Sequence, residues 1–154
     1  MAETLHDTFV LEERYPKPPA RVFEAFADAA QKARWFGGGG PEATHELDFR
    51  VGGIEHQAST MGADTPFPGV VLSSVGVFQD IVDNERIVQA ATMSLGGRRI
   101  SSALMTFAFM ADVDGTRLTF THQAAFYEGS DGPQMRKGGW QALFASLDRS
   151  LADA

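Results

Sequence analysis

The sequence predicts an α+β fold in which a curved, antiparallel, seven-stranded sheet wraps around one long C-terminal helix. Three observations predict it. Apolar and polar side chains alternate with period two from Glu46 to about residue 125, interrupted only by short turns. Trp140, Leu143, Phe144, Leu147 and Leu151 form an apolar stripe at helical spacing. Ahead of the alternating region, ARVFEAFADAAQKARWF has a 3.6-residue rhythm of its own.

Each element follows from local chemistry. Thr8–Tyr15 (TFVLEERY) is rich in β-branched and aromatic residues and reads as a strand with Phe9, Leu11 and Glu13 on one side. PKPP stops it, because proline has no N–H for a ladder. Two tandem helices follow, with Val22, Phe23 and Phe26 in one apolar patch and Ala33, Trp35 and Phe36 in the second. Asp28 is the expected cap of the second helix, and GGGGP (Gly37–Pro41) ends it. Six strands are then expected, at about 44–51, 54–61, 70–81, 86–94, 98–111 and 116–125. The segments between them (Gly52–Gly53, GADTPFPG, VDNE, GG and DVDG) all carry turn chemistry. Connections this short join antiparallel neighbours. The last helix is expected from about Pro133 to Leu151. Gly138–Gly139 within it predict either a late start or a close approach to another backbone.

At 154 residues the chain fits a single domain, 1–154, with room for a core. Its 44% apolar and 21% charged residues are globular values. A net charge of -7 points away from nucleic acid, which wants a basic face. The absence of cysteine excludes disulfides, thiolate metal sites and a cysteine nucleophile. The first residues lack signal-peptide character and no apolar run could span a bilayer, so a cytoplasmic protein without membrane insertion is expected.

Five segments, in order, carry a resemblance: ARWFG (33–37), DFRVGG (48–53), GVFQDIVDNERIV (76–88), GTRLTFTH (115–122) and GGWQALFASLDRSL (138–151). Together they resemble the bacterial relatives of the activator of heat-shock-protein-90 ATPase homologue family, within the START-like (SRPBCC) superfamily of helix-grip folds. The resemblance implies a sheet gripping the C-terminal helix over a cavity for a small hydrophobic or aromatic molecule. The sequence departs from the family pattern at Asn84, where proline is common, and at IEHQAS after Gly53, which is more polar than usual. The chain has no room for the additional chaperone-binding domain of the eukaryotic protein, so chaperone binding is not carried over. The superfamily link to a stress-response role remains by fold analogy alone.

The expected ligand contacts are Trp35, Phe49, His56, Met93, Met105, Phe107, His122, Phe126, Tyr127, Met135 and Trp140, at element ends or on inward strand faces. One register stays open. A two-residue turn at Gly52–Gly53 pairs Val51 with Ile54 and turns His56 inward with Phe49; a three-residue turn brings Glu55 and Gln57 inward instead. No ligand-spacing motif links His45, His56 and His122, and no G-x-S-x-G or P-loop occurs, so neither metal, cofactor nor catalytic residues are assigned. The leading expectation is a non-catalytic carrier or sensor. The alternatives are a polyketide cyclase/dehydratase-like enzyme using the same cavity and a protein acting through protein contacts. An edge strand offers a route to a homodimer.

Overall fold

The computed structural model describes residues 3–37 and 42–153; Gly38–Pro41 of the glycine run lie outside them. The elements are β1 (Leu5–Tyr15), α1 (Pro19–Ala27), α2 (Ala29–Trp35), β2 (Thr44–Leu47), β3 (Ile54–Thr60), β4 (Val71–Val82), β5 (Arg86–Leu95), β6 (Arg98–Asp112), β7 (Gly115–Phe126) and α3 (Pro133–Ala152). They form one seven-stranded antiparallel sheet, as the sequence predicts, and the structure sets its order as β1-β7-β6-β5-β4-β3-β2. β1 starts three residues earlier than expected, because Leu5, His6 and Asp7 still pair with Phe126, Ala125 and Ala124.

The tandem helices form as their spacing demands. Val22, Phe23 and Phe26 are buried, and Asp28 accepts a hydrogen bond from the Gln31 N–H at 3.0 Å, capping α2. Trp35 is buried and donates its Nε1–H to the Ala25 carbonyl at 2.9 Å, locking the two helices together. Ala33, expected beside it, is exposed.

The stretch from Asp48 to Gly53 departs from its expected course. β2 ends at Leu47, which pairs with Glu55, and the following residues make a wide turn instead of more strand. Arg50 N–H donates to Asp48 O, and Gly53 N–H to Arg50 O. Gly52 N–H then donates to Phe78 O at 2.8 Å while Phe78 N–H donates to Gly53 O at 3.0 Å, so the turn itself is stitched to β4. Gly52 has φ 84, and a Cβ on Gly53 would collide with the Asp48 carbonyl, so both positions require glycine. Val51 consequently faces solvent at 56% exposure, contrary to expectation, while Phe49 packs edge-on against Phe23 and Phe78.

Asn84, the other departure from the family pattern, sits in the β4–β5 turn with φ 64. Asparagine tolerates this left-handed conformation, which a proline ring cannot reach.

Helix α3 buries Trp140, Phe144, Leu147 and Leu151. Contrary to expectation, its glycines neither delay it nor touch another backbone: Gly138 and Gly139 are exposed, and a Cβ on either would meet nothing within 4 Å.

Apart from register shifts at Phe78/Asp80 and Met93/Ser94, neighbouring strands keep one register, and inward side chains fall into rows across the sheet. Leu11, Phe120, Phe107 and Ile87 form one row, all at most 7% exposed. Phe120 packs on Phe144 and Trp140 of α3, and Phe107 on Phe26 of α1. This is the filled half of the core, each buried side chain contributing about 1.5–3 kcal/mol. The next row toward the far end is Phe9, His122, Met105, Gln89 and Phe78.

Candidate functional site

One row further along, the inward residues of β7, β6, β5 and β4 are Ala124, Ala103, Ala91 and Gly76. Four adjacent strands thus contribute at most a methyl group each where the previous rows carry rings and long side chains. The row beyond is Phe126, Ser101, Met93, Ser74 and Gln57. Between these short side chains and the first half of α3 lies a cavity of about 330 Å³, within the size range of small-molecule sites. Met135, Arg136, Gly139, Trp140 and Leu143 form the helix side; Met61, Leu72, Met93 and Met105 give apolar walls on the sheet side.

Two charged groups of side chains close its ends. At the β3 end, Glu55 is 3% exposed and accepts from Lys32 Nζ at 2.9 Å and from Gln89 Nε2 at 2.9 Å, and it shares a hydrogen bond with His45 Nε2 at 2.8 Å. Burial alone would raise its pKa. The Lys32 charge and the hydrogen bonds from His45, Lys32 and Gln89 outweigh that, holding the carboxyl at about 2. Lys32 is itself 4% exposed, with its ammonium 4.4 Å from the centre of the Phe36 ring and 5.4 Å from that of Trp35. At the other end, Arg136 donates Nε–H and Nη2–H to the two oxygens of Asp131, both at 2.8 Å, and Nη2–H to Ser101 Oγ at 3.0 Å. Burial acts to raise the Asp131 pKa, but this fork of hydrogen bonds and the guanidinium charge lower it below the usual carboxylate range.

His122 stands in the wall near Arg136. It is 1% exposed and stacked on Phe9 with centroids 4.6 Å apart. Burial, aided by the Arg136 charge, lowers its pKa to about 4, so the ring is neutral at physiological pH. Among the described residues its Nδ1 and the Nε2 of Gln57 are buried without a hydrogen-bond partner, and both residues line the cavity.

Of the residues singled out from sequence, Met93, Met105, His122, Met135 and Trp140 line the cavity. Trp35, Phe49, Phe107 and Phe126 pack in or against the core behind the lining. Tyr127 is half-buried, its hydroxyl 2.7 Å from Ser102 Oγ. His56 lies on the opposite face of β3, between Glu46 and Val75; the wide turn that pairs Leu47 with Glu55 sends Glu55 and Gln57 inward in its place. Gln89, Arg136, Asp131 and Ser101 were not anticipated. Gln89 and Ser101 share the alternation of Ile87 and Met105, and Arg136 stands four residues before Trp140 on the same helical stripe. A pattern read only for apolar residues passes over them. No group of three or more His, Asp or Glu side chains comes together to hold a metal ion among the described residues, and no described helix is long and apolar enough to cross a membrane.

Solved structures resemble this chain along its whole length. An uncharacterised protein from Rhizobium leguminosarum is 33% identical, with a TM-score of 0.91 over 100% of this chain and 99% of that one. Mll3558 from Rhizobium loti is 38% identical, with a TM-score of 0.86 over 96% and 99%. CV1439 from Chromobacterium violaceum, 24% identical with a TM-score of 0.76 over 93% and 96%, shares the fold. Comparison with curated proteins finds no match. The family model described as "Activator of Hsp90 ATPase homolog 1-like protein" matches residues 16–152, and with its strands gripping α3 over a cavity the chain belongs to that family.

Proposed function

We propose that this protein binds a small, mainly apolar molecule between α3 and the sheet, acting in the cytoplasm as a carrier or sensor. One observation carries the reading: the inward row Ala124, Ala103, Ala91 and Gly76 leaves a space that the surrounding methionines, Leu72, Leu143 and Trp140 wall with apolar surface. Affinity comes from apolar burial at about 25 cal/mol per Å². Met93, Met105, His122, Met135 and Trp140 are the contacts proposed from the sequence list, joined by Gln57 and Leu143. Methionine suits a wall that must adapt to its occupant.

A catalytic use of the same cavity needs an acid or base poised near neutral pH. Glu55, held at about 2 and occupied by three partners, and His122, held at about 4, are both far from that range. This supports binding without turnover. The test is native mass spectrometry of protein purified gently from its own host, followed by denaturing extraction. A co-purifying apolar molecule is the expected result. A reaction product in its place would favour the cyclase-like reading, and stoichiometric capture of a chaperone would favour the protein-contact reading.

A further inference from the structure

Among the described residues, the charged side chains that line the cavity, Glu55, Asp131 and Arg136, are already matched. Lys32 faces Glu55 and Arg136 faces Asp131, each pair in contact and largely buried. A charged ligand would enter without a free counter-charge and lose its hydration for nothing. Among the described residues, the buried side-chain polar atoms without a partner belong to neutral groups: Nε2 of Gln57, a residue 7% exposed, and Nδ1 of His122, 1% exposed.

The fold makes room for the amide heads. A Cβ on Gly37 would come within 2.9 Å of Gln57 Nε2, and one on Gly76 would overlap Gln89 Nε2, the amide that is tied to Glu55. With Gln89 committed to that carboxylate, Gln57 keeps a donor for something else. Gln57 and His122 lie at opposite ends of the groove, on β3 and β7, four strand spacings apart. At about 4.8 Å per strand that is roughly 19 Å along the curved sheet, from which both side chains reach inward. At interior packing density, about 0.75, a cavity of about 330 Å³ holds roughly 250 Å³ of ligand, enough for two or three rings.

We propose that the cavity selects an elongated, uncharged, mainly apolar molecule, with an acceptor oxygen that meets Gln57 at one end and a second polar group that meets His122 at the other. This rests on the ligand-binding reading above and names the chemistry of its ligand. A site built this way discriminates by leaving a buried donor unsatisfied when the wrong molecule enters, which costs more than a missing contact.

Calorimetric titration with three matched probes tests it: biphenyl, 4′-hydroxybiphenyl-4-carboxamide and 4′-hydroxybiphenyl-4-carboxylate. The amide is expected to bind about tenfold or more tightly than either of the others. Gln57→Leu, close in size, should narrow the amide's advantage over biphenyl, because only the amide loses a hydrogen bond there. An amide no better than biphenyl, or a carboxylate that binds best, overturns the proposal while biphenyl binding keeps the cavity reading intact. No binding by any of the three overturns both. The comparison among probes on the unmodified protein decides even where the substituted chain folds poorly.

Discussion

The two halves of this core are built on the same strands and differ by a few methylenes per residue. In one half, Leu11, Phe120, Phe107 and Ile87 are buried, with Phe107 and Phe120 packed on rings of α1 and α3. In the other, two rows away on the same strands, Ala124, Ala103, Ala91 and Gly76 stand under the first half of α3 and a cavity opens. The polar residues segregate the same way. Lys32, Glu55, Gln57, Gln89, Arg136 and His122 surround the hollow half, and Tyr15, whose hydroxyl donates to Phe144 O at 3.1 Å, is the buried polar ring of the filled one. One sheet can therefore separate stability from recognition through the size of its inward side chains.

The comparison is sharpened first where the loss should be greatest. Phe120→Ala removes a ring at 0% exposure from the filled half and should cost about 4 kcal/mol, read from the denaturant midpoint at unchanged m-value. A cost below about 1 kcal/mol would mean that this half is not packed as described.

Next comes acid. His122 has a folded-state pKa of about 4, below its ordinary 6.5, so the unfolded chain takes up the proton first as pH falls. Its contribution is complete above about pH 6.5 and is lost between there and pH 4, about 3 kcal/mol at most. His122→Phe should flatten the stability curve in that window relative to the unmodified chain. Equal slopes for the two proteins would show that the ring is not held neutral.

The smallest effect on stability, and the sharpest contrast, belongs to Ala103→Leu. Added to the filled half, three carbons would strain the core by about 1–3 kcal/mol. In the hollow half they should change stability by less than about 1 kcal/mol while weakening biphenyl binding at least about tenfold. A large loss of stability here would mean that the two halves are equally full.

Most of the fold was legible because strand alternation and the α3 stripe are direct records of which side is buried. The reading failed where two structures share one pattern. Leu47, Phe49 and Val51 alternate with charged residues as a strand would, yet Asp48–Gly53 is a turn, and only its hydrogen bonds to Phe78 reveal that. That misreading placed His56 among the ligand contacts in preference to Gln57. The cavity was harder still. Alanines at 91, 103 and 124 are unremarkable in sequence, and they become a row only once two registers are known. Arg136 is an arginine on an apolar stripe, and its partner Asp131 lies before α3, outside any periodic pattern.

The pairing of β1 with β7 has a further consequence. Leu5 sits opposite Phe126 and Tyr15 opposite Thr116, so this ladder closes over more than a hundred residues of intervening chain. Loop-closure entropy of that kind slows folding. During synthesis, β1 waits at the ribosome without its neighbour until the other strands have emerged, its apolar Phe9 and Leu11 open to wrong partners. The glutamates and arginine at 12, 13 and 14 lie along this waiting edge, where charge discourages a second chain from taking the place that β7 will fill.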